Sequence, residues 1–238
     1  MNQRLELLFQ DTRVVGVNKP AGLAVQGGSG VEESLEDQLQ QLARPGRKIR
    51  LVHRLDRDTS GVLIAAKTQP AAAFLSAAFA DRAVHKTYLA LVCAAGPMPA
   101  AGEISAPLVK APGKIDVMKL AQPGEAGAQE ALTRYRLLQA VPGAALLALE
   151  PVTGRMHQLR AHLASIGHPI AGDGKYGGLF RLGEVRIGRL MLHAAKLDAP
   201  HPEGARLCIE APMPEEFLRI LAALALDAPL IENGVLAR

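Results

Sequence analysis

The sequence is poor in aromatic side chains: it contains no tryptophan, three tyrosines and five phenylalanines among 238 residues. Proteins that follow single-stranded nucleic acid along its length stack successive bases on several aromatic rings. This composition therefore argues against a broad stacking platform. If the protein binds nucleic acid, we expect contacts to the backbone together with one stacked base.

Cysteine is scarce as well, and long apolar runs are missing. Cys93 and Cys208 lie in separate apolar, strand-like segments and form no metal motif, which predicts two buried free thiols in a reducing compartment. The first ten residues lack the apolar core of a signal peptide. No run approaches the roughly 18 apolar residues that a membrane span needs. We therefore expect a soluble, cytoplasmic protein that is not associated with a membrane.

Positive charge is concentrated in one segment, although the net charge is only +4. Residues 44–57 contain a single acid, Asp56, and six basic side chains: Arg44, Arg47, Lys48, Arg50, Arg54 and Arg57. Such a cluster suits contacts to phosphates. It is equally compatible with a solvated basic loop, and the two interpretations stay open on charge alone.

Helix-like and strand-like segments alternate along the chain, and 49% of the residues are hydrophobic. This pattern predicts an α+β (mixed α/β) protein with a large, twisted, mainly antiparallel mixed sheet and flanking helices. The predicted strands are 13–18, 62–66, 86–93, 103–109, 115–120, 132–139, 144–150, 189–197 and 206–211. The predicted helices are 34–43, with Ser34 as N-cap, 69–82, 157–166 and 214–226.

The segment from Leu51 to Lys67 carries the strongest local signal. A charged stretch around Asp56 leads through Thr59, Ser60 and Gly61 into the apolar strand 62–66. Arginines on both sides would hold the Asp56 carboxylate ionised, as a nucleophile or a general base requires. The alternative is a surface loop whose acids and arginines pair with one another.

A second candidate, Arg160, lies on the predicted helix 157–166. Leu159, Leu163 and Ile166 form its apolar face, and at 100° per residue Arg160 falls a quarter-turn away from that face. From there the guanidinium can point into a cleft, although a lone arginine on a helix is more often a surface residue.

Several of these segments together resemble the RluA-type pseudouridine synthases. The motifs of this family occur in this sequence in the same order, from about residue 10 to residue 220. The ordered set makes the resemblance far more specific than any single motif. The matching segments are Val17–Gly22, His53–Gly61, Lys86–Val92, Thr153–Leu163 with Gly167–Ile170, Leu192–Ala195, and Ala211–Pro212.

The resemblance implies a fold and an activity, namely isomerisation of uridine to pseudouridine in structured RNA with base flipping. It makes Asp56 the catalytic carboxylate, as a nucleophile or as a base for a ribose proton. It implies that Arg160 pairs with Asp56, and that Tyr88 is catalytic as well, stacking on the target base and assisting proton removal from C5. Arg54 fills the space that the uridine leaves, and Arg57 and His157 are further substrate-binding residues. The reaction needs no cofactor and no metal.

The resemblance leaves the substrate open between ribosomal and transfer RNA. We expect a single catalytic domain over residues 1–238, without the small N-terminal S4-like domain of many relatives, and a monomer. Two alternative functions belong to classes other than RNA pseudouridine synthases. A metal-dependent hydrolase lacks support because the histidines show no metal-ligand spacing. A non-catalytic RNA-binding protein would explain the basic cluster, but not the joint presence of Asp56, Tyr88 and Arg160.

Overall fold

The computed structural model describes residues 5–28, 30–94, 96–229, 231–232 and 235–236. The chain divides into two compact units. Unit 1 runs up to Lys86 and also contains His193–Met213, whereas unit 2 contains Thr87–Leu192 and the chain from Pro214 onwards. Asp56 therefore belongs to unit 1, and Tyr88 and Arg160 belong to unit 2.

The described residues form four helices and sixteen strands. The helices are α1 (Leu35–Gln41), α2 (Gln69–Ala80), α3 (Gln158–Ser165) and α4 (Glu215–Ala223). The first eight strands are β1 (Glu6–Gln10), β2 (Val14–Lys19), β3 (Arg50–Leu51), β4 (Ser60–Ala66), β5 (His85–Cys93), β6 (Ala101–Ser105), β7 (Leu108–Lys110) and β8 (Met118–Leu120). The others are β9 (Leu132–Val141), β10 (Ala144–Pro151), β11 (Arg181–Leu182), β12 (Val185–Arg186), β13 (Leu192–Pro200), β14 (Arg206–Glu210), β15 (Ile231–Glu232) and β16 (Val235–Leu236).

Strand β4 is the centre of unit 1, and every one of its residues is buried, as its continuous apolar sequence requires. Strand β2 pairs with it antiparallel along one edge. Along the other edge β13 pairs parallel to its first residues and β3 antiparallel to its last. Side chains of β4, helix α2 and strand β14 pack together in one apolar cluster. The segment that carries Asp56 thus ends in a strand held on both edges.

The residue at which this segment enters β4, Gly61, has to be a glycine. Its φ is +114°, and a Cβ atom at this position would lie 2.1 Å from the carbonyl oxygen of Ala194 on β13. Only a residue without a side chain allows the parallel strand to approach so closely.

Unit 2 contains an antiparallel arrangement in which β10 pairs with β5 on one edge and β9 on the other, and β6 follows β9. Helix α3 is buried from Gln158 to Leu163. Its Ala161 packs with Leu108, Met118 and Ala131 in a small apolar cluster. Through Ala161, helix α3 therefore packs against the β7–β8 hairpin and the residue just before β9.

The predicted fold class is confirmed, since four helices flank sheets whose described pairings are mainly antiparallel, with a parallel pair between β4 and β13. Ser34 is confirmed as the N-cap of α1, where it forms a capping box with Asp37. The sequence missed β1, which pairs with β2. Within the described ranges, every helix is too short or too polar to cross a lipid bilayer.

Several local predictions were wrong. The predicted strand 103–109 is two separate strands, β6 and β7, and the predicted strand 115–120 begins only at Met118. Cys93 is buried as expected, but Cys208 is exposed, because the alternation of β14 turns it away from the core while Leu207 and Ile209 face inwards. His157 was placed inside the helix, but it is the N-cap of α3 with a left-handed φ of 52°. That conformation turns the chain sharply before the helix begins.

Candidate functional site

Asp56 is half-buried at the start of a tight turn in which the N–H of Thr59 donates to its carbonyl oxygen over 3.1 Å. The preceding residue, Leu55, is buried and anchors the segment. Arg54 and Arg57 on either side of this pair are exposed. The three residues that the sequence proposed in this segment therefore lie together, with the carboxylate better shielded from solvent than the two guanidinium groups.

Lys19 braces the Asp56 segment by hydrogen bonds to backbone carbonyl groups, a role that the sequence did not reveal. Its side chain is fully buried, and its ammonium group donates to the carbonyl oxygens of Pro20 (2.8 Å), Leu23 (2.9 Å) and Arg57 (2.8 Å). The N–H of Gly22 also donates to the carbonyl of Arg57, and Nε of Arg57 donates to the carbonyl of Gly22. The Lys19–Gly22 turn and the Asp56 segment are consequently tied into one rigid piece.

We predict that Lys19→Met destabilises unit 1. The methionine fills a similar volume but leaves three carbonyl oxygens without their charged donor, at an expected cost of about 3 kcal/mol or more in the free energy of unfolding. Urea denaturation measures the change. Lys48→Met, at an exposed position, serves as the control and is expected to lie within about 0.5 kcal/mol of the unmodified protein. A Lys19→Met protein as stable as the control would contradict the proposed brace.

His53 is a structural residue in this arrangement. Its Nε2 accepts the N–H of Ile64 over 3.0 Å, and its ring stacks on Phe79 at 4.5 Å between centroids. Burial, with a smaller effect from the nearby Lys86 ammonium, lowers the pKa of His53 to about 3. The ring is therefore neutral at physiological pH, and its Nε2 lone pair is already used.

His193 fixes the first residue of β4. Its Nε2 lies 3.2 Å from the carbonyl oxygen of Ala211, which can only accept, so Nε2 carries the proton. Nδ1 then accepts the hydroxyl of Ser60, 2.9 Å away. This pair joins the β4–β13 contact through side chains as well as backbone.

Arg160 lies in unit 2 and is 5% exposed. Its Nε and Nη2 donate to the two carboxylate oxygens of Asp173 over 2.7 and 2.8 Å, and the side chain of Asp173 is fully buried. A two-pronged ion pair of this kind fixes both the position and the plane of a guanidinium. The sequence gave Asp173 no role because it lies in a glycine-rich stretch that predicted only a loop.

The guanidinium of Arg160 also lies over the ring of Tyr176, with Cζ of Arg160 5.2 Å from the ring centroid. The phenol oxygen accepts the N–H of Met118 over 2.7 Å and lies 3.1 Å from Nδ1 of His157. The structure thus brings two sequence-predicted residues, Arg160 and His157, to the same tyrosine. His157 has a left-handed backbone, and its ring meets that of Tyr176 edge-on, with 5.7 Å between the ring centroids.

A buried hydrogen-bond network holds the start of α3. The amide of Gln158 accepts the hydroxyl of Thr153 (2.7 Å) and donates to the hydroxyl of Thr133 (3.0 Å). His162 donates from Nε2 to the carbonyl of Ala106, so its Nδ1 accepts from Thr133. Burial lowers the pKa of His162, which is consistent with this neutral ring. Helix α3 and therefore the backbone of Arg160 are anchored to β9.

Tyr88 is buried on β5, where it lies opposite Leu149 of β10. Like Arg160 and His157 it belongs to unit 2, so the proposed site residues fall into two groups along the chain: Arg54, Asp56 and Arg57 in one, Tyr88, His157 and Arg160 in the other.

The basic segment is exposed at Arg44, Arg47 and Lys48. None of the ion pairs between described residues involves these three side chains. The side chain of Gln40 on α1 closes the loop by donating to the carbonyl of Ile49 (2.7 Å) and accepting its N–H (3.1 Å). Ile49 itself is buried, so the loop presents its charges on a fixed frame.

One group of described residues has the composition of a metal site: Asp11, His201 and Glu203, whose ligand atoms all lie within 4.8 Å of one another. These atoms are already used. Glu203 pairs with Arg13, Asp11 accepts the N–H groups of Arg13 and Val14, and Nδ1 of His201 accepts the N–H of Glu203. The proton of His201 then lies on Nε2, facing Asp11 at 2.9 Å. We interpret the group as a structural clasp.

The chain is similar in sequence to one family of known proteins. The family model described as RNA pseudouridylate synthase matches residues 13–165. The chain is 35% identical over 222 residues to ribosomal large subunit pseudouridine synthase C of Vibrio parahaemolyticus, covering 92% of this chain and 69% of the relative. It is 35% identical over 241 residues to ribosomal large subunit pseudouridine synthase D of Zymomonas mobilis, covering 94% and 74%.

Among solved structures, the fold is similar to human RNA pseudouridylate synthase domain containing 4. The TM-score is 0.79 at 31% sequence identity, and the match covers 94% of this chain and 95% of the human one. The matched residues 13–165 include Asp56, Tyr88, His157 and Arg160.

Proposed function

Because the chain belongs to the RNA pseudouridylate synthase family, we propose that it modifies uridines of large-subunit ribosomal RNA and that Asp56 is its catalytic carboxylate. Family membership makes it an isomerase that converts uridine in RNA to pseudouridine. The N1–C1′ bond of the nucleoside breaks and a C5–C1′ bond forms, while C5 loses a proton and N1 gains one. The reaction is redox-neutral, so we propose that it needs neither a cofactor nor a metal.

The roles of individual side chains are part of this proposal. Asp56 attacks the nucleoside or removes a ribose proton, and Arg160 pairs with it and keeps it ionised. Tyr88 stacks on the target base and assists proton removal from C5. Support comes from the geometry around two of these residues: the braced turn beneath Asp56 and the bidentate hold on Arg160. Both are forms of preorganisation that a reacting centre needs.

Binding requires the uridine to leave its stack, which costs a few kcal/mol. We propose that Arg54 fills the vacated space, since it is exposed two residues before Asp56 on a segment anchored by Leu55. Arg57 and His157 are proposed as further RNA contacts. We also propose that the protein acts in the cytoplasm as a monomer with a single catalytic domain.

The observation that carries the proposal is the length of the match: relatives named as large-subunit synthases align with more than nine-tenths of this chain. Pseudouridine mapping in total RNA, from cells with and without the protein, tests the target directly. We expect sites in large-subunit ribosomal RNA to disappear without it. Loss of sites in transfer RNA alone would reject the ribosomal assignment and retain the isomerase activity.

The exposed basic loop offers a separate prediction for RNA affinity. Each phosphate that a cation neutralises contributes about 0.7 to 0.9 to the slope of log K against log salt. The double change Arg44→Gln/Arg47→Gln should weaken RNA binding and reduce this slope by about 1 to 2. Filter binding across a salt series measures it.

The matched control removes two exposed arginines elsewhere, Arg186→Gln/Arg219→Gln, in unit 2. It changes the net charge by the same amount but leaves the exposed basic loop with Arg44, Arg47 and Lys48 intact. If both double variants reduce the slope equally, the loop is not a preferred RNA contact and only overall charge matters.

A further inference from the structure

Lys86, near the start of β5 in unit 1, is a half-buried cation. Among the residues that the structure describes, no ion pair and no hydrogen bond uses its ammonium group. Burial lowers the pKa of Lys86, as expected for a charge that has lost part of its hydration. Within the described chain, folding thus removes water from this ammonium without supplying a counter-ion.

Two other lysines of unit 1 show what a structural lysine looks like in this protein. Lys19 is buried and donates to three carbonyl oxygens. Lys67 is half-buried and donates to the carbonyl oxygen of Asp11. In both, the charge is used inside the fold. A partly desolvated charge without such acceptors lowers stability, so the packing of unit 1 gives no reason for a lysine at position 86.

His53 is the residue on which the Lys86 ammonium acts electrostatically. Because Nε2 of His53 accepts the N–H of Ile64, the neutral ring carries its proton on Nδ1. The imidazole therefore has a hydrogen-bond donor left, and no acceptor, for a further group. A positive charge and an N–H donor in the same neighbourhood suit an anion.

We propose that Lys86 binds a backbone phosphate of the RNA, close to the nucleotide whose place Arg54 takes in the stack. This inference rests on the proposed function, in which Arg54 enters the RNA. Arg54 follows His53 directly and is exposed, so the Lys86 ammonium lies near the segment that carries it. The phosphate supplies the counter-ion that the fold lacks, through a charge-assisted hydrogen bond.

This contact differs from those proposed for the exposed basic loop. Arg44 and Arg47 are open to solvent, where salt screens their charges and their side chains can follow the RNA. Lys86 is held by a strand and is partly shielded from water, so it fixes the position of one phosphate. Contacts of this kind set the register of a nucleic acid without reading its sequence.

The first test is Lys86→Met, measured by filter binding to a transcript of large-subunit ribosomal RNA across a sodium chloride series. We expect the affinity at low salt to fall at least about 5-fold. The slope of log K against log salt should decrease by about 0.7 to 0.9, the value for one phosphate. An unchanged slope would overturn the inference.

The second test measures the stability of Lys86→Met without RNA. Methionine keeps most of the volume and removes a charge that has lost water, so the urea midpoint should stay the same or rise. A structural lysine gives the opposite result. A lower midpoint, or a variant that does not fold, would make Lys86 a structural residue and would also overturn the inference.

Lys67→Met is the matched control, since it removes the same charge from another half-buried position of unit 1. It leaves the carbonyl of Asp11 without its donor, so we expect a lower urea midpoint together with an unchanged salt slope. If Lys67→Met reduced the slope as much as Lys86→Met does, overall charge would explain the result and the specific contact would be rejected.

A further measurement distinguishes an RNA phosphate from free phosphate. Thermal melting of the unmodified protein is compared in sodium phosphate and in sodium chloride of equal ionic strength. We expect equal melting temperatures. A higher melting temperature in phosphate that Lys86→Met abolishes, with an unchanged RNA salt slope, would assign the cation to free phosphate and overturn the RNA contact.

The outcomes separate this inference from the proposed function. If the unmodified protein binds the ribosomal transcript but forms no pseudouridine in it, the proposed function fails, and the salt slopes still decide the role of Lys86. If it does form pseudouridine, and Lys86→Met binds with unmodified affinity and slope, only the phosphate contact fails.

Discussion

Asp56→Asn is expected to abolish pseudouridine formation, with a loss of at least about 10³-fold in single-turnover rate. Asparagine has nearly the same shape, so the turn closed by Thr59 and the brace from Lys19 should persist. It has neither the charge to attack a sugar carbon nor the basicity to remove a proton. RNA affinity, measured by fluorescence anisotropy, should stay within about 3-fold, because binding depends on cations elsewhere.

Asp58→Asn is the matched control for this change. It removes one negative charge from an exposed position two residues further along the same segment. Its rate should be close to that of the unmodified protein. Substantial turnover by Asp56→Asn would reject the catalytic assignment, and an equal loss of turnover in both variants would indicate that the segment's net charge matters instead.

Arg160→Met is expected to have a double effect, on stability and on activity. It leaves the carboxylate of Asp173 buried without its partner, which costs about 3 to 5 kcal/mol in the free energy of unfolding. It also removes the group that we propose holds Asp56 ionised. We therefore expect no measurable pseudouridine formation and a clear fall in the urea midpoint.

A second substitution separates the two effects. Adding Asp173→Asn to Arg160→Met removes the unpaired charge, and part of the lost stability should return while activity stays absent. Arg186→Met, at an exposed position in the same unit, should change neither property. If the double variant regained both stability and turnover, Arg160 would be a structural residue only.

The Asp56 segment was predictable because its signals are local. A charged stretch, three turn residues and a continuous apolar run give the strand and its loop without any knowledge of distant contacts. The confirmed Ser34 cap has the same local origin. Gly61 was recognised as a loop residue, but its real constraint, the carbonyl of Ala194, comes from a strand far along the chain.

Asp173 and Lys19 show what such reasoning cannot reach. An aspartate between two glycines is typical of a surface turn, and a lysine before a proline is typical of a loop. Each is buried because its charge finds partners from elsewhere: Arg160 for the first, three carbonyl groups for the second. A sequence lists such groups without showing that folding brings them together.

The error at Cys208 has a simpler origin. In β14, Arg206–Glu210, only the three middle residues are apolar, and strand alternation puts Cys208 on the same outer face as the charged Arg206 and Glu210.

The parallel contact between β4 and β13 has a consequence for the order in which the protein matures during synthesis. The strand that carries the Asp56 loop is completed by residues made more than a hundred positions later, through the Ser60–His193 pair and the Ala194 contact. A nascent chain that has only emerged as far as α3 still lacks this neighbour, and non-local pairings of this kind form late. The Asp56 segment should therefore reach its final packing only after β13 has left the ribosome.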